Sequence, residues 1–167
     1  DIIGQGRQRD SVEMLGYLFY IADSAKTHLP YVQNDDDSDD WGKLRRKPAV
    51  TPDAVVREAK AAQKRYGFHS FKLKGGVLDG ENEMATVDAL HDAFPNCRIN
   101  IDPNGAWSLD EAIKLTNDHR DSLTYIEDPT GPENGFSGRE IMSFYKKATN
   151  MPVATNMIAT DWKQIYP

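Results

Sequence analysis

The sequence predicts an α/β fold with a parallel sheet, part of a TIM-like (β/α)8-type barrel, covering roughly the first five β/α units. Three observations lead there. Short apolar runs alternate with amphipathic helical stretches through five repeats, the pattern of a parallel sheet with helices outside it. Polar residues stand at the C-terminal end of each of the second to fifth runs: Lys72 and Lys74, then Asp102 and Asn104, then Glu127 and Asp128, then Asn156. A barrel collects its strand ends at one mouth, where catalytic groups gather. An open doubly wound sheet would spread them along a line and use only its switch point. Finally, no Gly-x-Gly-x-x-Gly follows the first run, which argues against a dinucleotide fold.

Each element has a local reason. Residues 1–12 are rich in Gly and Arg and start nothing. Met14 to Ala22 is aromatic and apolar and reads as a buried strand. Asp23 to Val50 reads as a long loop. It carries Asn34-Asp35-Asp36-Asp37-Ser38-Asp39-Asp40, which lacks the spaced ligands and central Gly of an EF-hand and is read as solvated. Thr51-Pro52-Asp53 opens a helix by cap, first-turn Pro and dipole-facing acid, and Gly67 ends it. Phe68 to Lys74 is the second strand, stopped by Gly75-Gly76. Met84, Val87, Leu90, His91 and Phe94 recur at helical spacing from about Gly80. Cys97 to Ile101 is the third strand, and Ser108 with Glu111 is a capping box for the helix after it. Leu123 to Ile126 is the fourth strand. Ser137 with Glu140 is a second capping box, for a helix ending near Thr149. Met151 to Thr155 is the fifth strand, and a further helix could open at Thr160 to Trp162.

Composition narrows the function classes. The chain has 167 residues, 39% hydrophobic and 28% charged, as an ordinary globular domain does. A net charge of −6 argues against a nucleic-acid binder. No apolar run approaches the length of a membrane span and no signal peptide is visible, so no membrane partner is expected. The single cysteine, Cys97, excludes an internal disulfide framework and fits a reducing cytoplasm. It heads an apolar run and reads as packing.

The chemistry starts from Phe71-Lys72-Leu73-Lys74-Gly75-Gly76. Side chains alternate along a strand, so Lys72 and Lys74 share a face. Two ammonium groups that close should depress each other's pKa, one route to a lysine base; the bland alternative is a pair of lysines guarding an edge strand. Asp102, Glu127 or Glu133, and Asn156 are hard oxygen donors suited to magnesium, and no cysteine or histidine cluster competes for a softer metal. Taken singly, each could be a loop-capping residue. Together they suit a magnesium-assisted abstraction of a proton next to a carboxylate, with Lys74 as the base.

A resemblance adds to this. Glu13-Met14-Leu15-Gly16-Tyr17-Leu18-Phe19, the Phe71–Gly76 stretch, Asp102-Pro103-Asn104-Gly105-Ala106-Trp107-Ser108, Glu127-Asp128-Pro129, Gly135 to Glu140 and Ala154 to Trp162 resemble the glucarate dehydratases of the enolase superfamily. The resemblance implies that Lys74 is the base and that Lys72 tunes it and meets a substrate carboxylate. It implies Asp102 and Asn156 as first and third Mg2+ ligands, and Tyr17 and Asn104 as substrate contacts; Asp102 and Asn156 count as substrate-facing too. The middle ligand is expected at Glu133, in the loop, with Glu127 next as ligand or outer support. The implied reaction is dehydration of D-glucarate, and of its epimer L-idarate, an aldarate small molecule; the alternatives are another acid-sugar dehydratase or racemase of the superfamily, or a non-catalytic half-barrel fragment. Residues 1–167 are then expected to be part of a (β/α)7β barrel domain, without the capping domain and the last strands of that family. The resemblance also implies a His–Asp pair that works from the opposite face of the substrate, and none of His28, His69, His91 or His119 falls at a strand end matching it. The piece alone is accordingly expected to be inactive, and the full-length form to be a homo-oligomer.

Overall fold

The computed structural model of the chain describes residues 4, 6–23, 26 and 39–164. Five strands form one sheet: β1 (Gly16–Phe19), β2 (Ser70–Lys74), β3 (Arg98–Asp102), β4 (Tyr125–Glu127) and β5 (Val153–Ala154). They lie in the order β1-β2-β3-β4-β5, every pair parallel. Sheet order follows chain order with no reversal. A doubly wound sheet reverses at its switch point; a barrel keeps adding strands on the same side, as this sheet does.

The helices are α1 (Asp40–Leu44), α2 (Pro52–Tyr66), α3 (Gly80–Ala93), α4 (Leu109–Asp118) and α5 (Gly138–Thr149). Their caps are largely those the sequence implies. Thr51 accepts from the Ala54 amide, Pro52 takes the first position of α2, and Gly67 ends it at φ 72°. The Ser137–Glu140 box closes in both directions. Ser108 caps α4 by accepting from the Glu111 amide; the neighbouring Leu109 amide donates to Glu133. None of the described helices is long and apolar enough to cross a membrane.

Register sorts the side chains onto two faces. Leu18, Leu73, Ile101 and Ile126 lie side by side across four strands and are sealed beneath the helices. Val55 and Ala59 of α2, Met84, Val87 and Leu90 of α3, and Leu115 of α4 belong to the same core. Full burial of each large aliphatic chain is worth about 1.5–3 kcal/mol. A one-residue slip of β2 would turn Lys72 and Lys74 into this layer, so the register is strongly fixed.

Several boundaries differ from the sequence expectation. The first strand is shorter than expected and only half-buried: Gly16 and Leu18 face the helices, while Tyr17 and Phe19 are 39% and 48% exposed on the other face. Its all-apolar composition hid a period of two. Ile21 then makes an antiparallel bridge to Ala49. The expected loop to Val50 contains α1, capped by Asp39, whose side chain accepts from the Gly42 amide. Asp39 pairs with Arg65 and Asp40 with Lys64. Residues 34–38 of the acidic run, and His28, lie outside the described residues. The fifth strand shrinks to Val153–Ala154, and the turn at Trp162–Gln164 is 3-10 rather than a full helix. Cys97 is half-buried against the core, with Gln63 Nε2 3.6 Å from its sulfur, and burial pushes its thiol pKa up.

Candidate active site

The face of the sheet away from the helices carries polar residues in rows. Tyr17, Lys72, Asn100 and Tyr125 are register partners in one row; Phe19, Lys74 and Asp102 are partners in the next. The alternation that seals Leu73 and Ile101 therefore turns both lysines and Asp102 to the same side.

The two lysines are held by carboxylates. Lys74 Nζ lies 2.7 Å from Asp102 Oδ2 and donates to Asn104 Oδ1 at 2.9 Å. Lys72 Nζ lies 2.8 Å from Glu127 Oε2 and 3.9 Å from Asp102 Oδ2, and sits 4.5 Å from the centre of the Tyr17 ring. Tyr17 Oη donates to Asp102 Oδ2 at 3.4 Å. Asp102 is 1% exposed and Glu127 8%; carboxylates this buried need such partners.

The carboxylates decide the lysine electrostatics. Burial draws the Lys72 pKa down, but the hydrogen bond and charge of Glu127, with Tyr17 and Asp102, outweigh it and hold Lys72 above the ordinary lysine value. The expected mutual depression of the two ammonium groups is thus overturned for Lys72. Opposite charges across the sheet act at contact distance, and these two ammonium groups each have a carboxylate of their own.

The far side of the site is tied together by Asp128, at φ 41°. Its Oδ1 accepts from Thr155 Oγ1 at 2.5 Å and its Oδ2 from the Asn156 amide at 3.0 Å, so the end of β4 grips the chain just past β5. Asn156 Nδ2 in turn donates to Glu127 Oε1 at 3.1 Å. One oxygen from each of Asp102, Glu127 and Asp128 lies within 4.8 Å of the others. The sequence places Asp128 at a strand end, and the Glu-Asp-Pro string is the one local signal of its role.

Lys72, Lys74, Tyr17, Asp102, Asn104, Glu127 and Asn156 are therefore linked by direct contacts. Glu133 is not joined to them. It sits half-buried in the next loop, with Oε2 accepting from the Leu109 amide at 2.8 Å. Of the histidines, His119 Nδ1 lies 2.7 Å from Asp88 Oδ2, on the helical layer. Asn104 stands at φ 61° and Gly105 at φ 74°. Asn104 donates its amide to Asp102 Oδ1 at 3.1 Å, which curls the loop back over the site.

Hard, buried oxygen donors gathered beside two cations suit a small divalent ion such as Mg2+. Three carboxylates outnumber two ammonium groups here, so the group has room for further positive charge.

Comparison with known proteins gives the family. Residues 54–167 match the family model described as enolase C-terminal domain-like. A probable glucarate dehydratase of Streptomyces coelicolor is 42% identical over 160 residues, 96% of this chain and 33% of its own length. An enolase from Pseudomonas fluorescens, crystallised with bound magnesium, potassium and tartrate, superposes with a TM-score of 0.79 at 37% identity, covering 96% of this chain and 34% of that one. An enolase from Gibberella zeae, complexed with magnesium, formate and sulfate, gives 0.79 at 36% identity, over 97% and 34%. The chain spans about a third of the length of these relatives. The parallel five-stranded α/β sheet, the residues matched and these superpositions establish that the chain belongs to the enolase C-terminal domain-like family.

Proposed function

We propose that this chain is the lysine-bearing part of a Mg2+-dependent acid-sugar dehydratase. Its substrates are D-glucarate and L-idarate, and its product is 5-dehydro-4-deoxy-D-glucarate. The observation that carries the reading is the joining of Lys74, Asp102 and Asn104 with Lys72 and Glu127 on one sheet face, among buried carboxylates. The 42% identity to a probable glucarate dehydratase supports the choice of substrate.

Lys74 takes the proton from the carbon next to a substrate carboxylate on the face that L-idarate presents. That C–H bond breaks, its electron pair forms a double bond to the next carbon, the hydroxyl there leaves with a proton as water, and the enol that remains tautomerises to the 2-keto acid. Lys72 holds the substrate carboxylate, while Asn104 and Tyr17 contact the sugar chain. Asp102, Glu133 and Asn156 would hold the metal. A bound Mg2+ would supply positive charge at the substrate carboxylate, where charge develops, and would offset the carboxylate field that holds the Lys72 pKa up.

Glu127 has both oxygens committed, one to Lys72 and one to Asn156 Nδ2. That suits an outer partner which turns the Asn156 carbonyl oxygen toward an ion. Glu133 is half-buried and would release the Leu109 amide on joining. The test is formation of 2-keto acid from D-glucarate by the complete polypeptide, with and without Mg2+. Metal-dependent formation is expected, and none from D-glucarate or L-idarate would overturn the reading.

A further inference from the structure

We propose that Glu83, on the first turn of α3, is a positioning residue for Lys74; the proposal rests on the reading of Lys74 as the base. Glu83 is fully buried. Its carboxylate faces backbone amides of the loop that leaves β2. Oε2 accepts from Gly76 at 3.0 Å, and Oε1 accepts from Val77 at 2.8 Å and Leu78 at 3.0 Å. The one remaining amide before the helix cap, that of Gly75, donates to Asp102 O at 2.9 Å. All four amides between Lys74 and Asp79 are thus bonded, three of them to one side chain.

The packing leaves this loop no slack. A Cβ on Gly75 would sit 2.7 Å from Glu83 Oε2 and 3.1 Å from Ile101 Cδ1. A Cβ on Gly76, at φ 73°, would sit 2.3 Å from the Pro103 carbonyl oxygen. The carboxylate therefore lies directly under the turn, and the turn lies on the residue that follows Asp102. Lys74 is fixed from two ends: its ammonium by Asp102 and Asn104, its backbone by Glu83 and Asp102.

A long lysine stem amplifies any change of backbone angle at its root, and displacement of a catalytic group by about 1 Å can cost about 100-fold in rate. A charged acceptor suits the task because three N–H groups converge on it. A neutral amide in its place would turn an NH2 toward at least one of them. The spacing that produces this is local: Glu83 follows its three donors by five to seven residues, so α3 can start only where its first turn covers the loop.

The test is Glu83→Gln in the complete polypeptide, read by NMR and by turnover. Expected are a loss of hydrogen-exchange protection of about tenfold or more at Gly76, Val77 and Leu78, and a shift of the Lys74 ε-methylene signal toward that of a free lysine. The methyl signals of Leu115 and Ile126 should stay in place. In turnover, kcat should fall about 10- to 100-fold with KM little changed. An unmoved Lys74 signal beside freed loop amides overturns the proposal. So do Leu115 and Ile126 signals that move as far as that of Lys74, because Glu83 then acts on the fold at large. If Glu83→Gln does not fold, Gly75→Ala displaces the same carboxylate without removing its charge, and the same signals decide. A Lys74 signal that responds in a polypeptide which turns over no acid sugar upholds the positioning and refutes the substrate reading.

Discussion

Lys72 on β2 reaches across β3 to Glu127 on β4, with 2.8 Å between Nζ and Oε2. The strand between them contributes Asp102, 3.9 Å from the same ammonium. The site is thus braced across three strands by charge as well as by backbone pairing. Breaking one side of a buried pair leaves an uncompensated charge and costs about 3–5 kcal/mol when burial is complete. Lys72 keeps 13% of its side chain exposed and retains Asp102, so Glu127→Gln should cost less, about 1–3 kcal/mol. Urea unfolding of the variant checks this, and an unchanged midpoint would show that the pair contributes nothing to stability.

Metal binding separates the two candidate middle ligands. Titration calorimetry with Mg2+ should show affinity falling about 10-fold or more for Asp102→Asn, Asn156→Ala and Glu133→Gln. Glu127→Gln should weaken binding less, through Asn156. Undiminished affinity in Glu133→Gln together with its loss in Glu127→Gln would make Glu127 the ligand.

Gly76 sits at φ 73° with the Pro103 carbonyl where a Cβ would go. Gly76→Ala combines backbone strain with a collision against main chain, which cannot yield as a side-chain tip can. The expected loss is above about 1 kcal/mol, read from thermal or urea unfolding. A neutral result would mean that the β2–α3 turn is free to rearrange.

Glu58 lines a cavity with Leu44, Ala49 and Ala54. It is 6% exposed, and its Oε2 has no hydrogen-bond partner among the described residues. Burial pushes its pKa from 4.5 up to about 7. Between those values the folded chain holds a proton that the unfolded chain has released. Its contribution to stability therefore falls as pH rises from about 4.5 through about 7 and is level above that. At about 1.4 kcal/mol per pKa unit the loss amounts to at most about 3.5 kcal/mol. Glu58→Gln should remove this slope and be the more stable form at pH 8. Parallel stability–pH curves for the two proteins would contradict it.

Local signals made much of this fold legible. Thr51-Pro52, Gly67 and the Ser137–Glu140 box mark helix ends through contacts within a few residues, and the structure has them there. Lys72 and Lys74 share a face because a strand alternates, and that needs no tertiary knowledge. The pairing of Lys72 with Glu127 spans 55 residues and depends on which strand lies between them. The grip of Asp128 on Thr155 and Asn156 needs β5 beside β4. The exposure of Tyr17 and Phe19 was masked because every residue from Tyr17 to Ile21 is apolar or aromatic, so composition gave no sign of two faces.

The central claim is that Lys74 removes a proton next to an acid-sugar carboxylate. Deuterium incorporation from D2O at the carbon next to the carboxylate of L-idarate, in the complete polypeptide with Mg2+, measures that step. Lys74→Ala should lower exchange by about 10²–10⁴-fold while Mg2+ affinity holds. Exchange at the wild-type rate in Lys74→Ala, with metal still bound, would contradict the account.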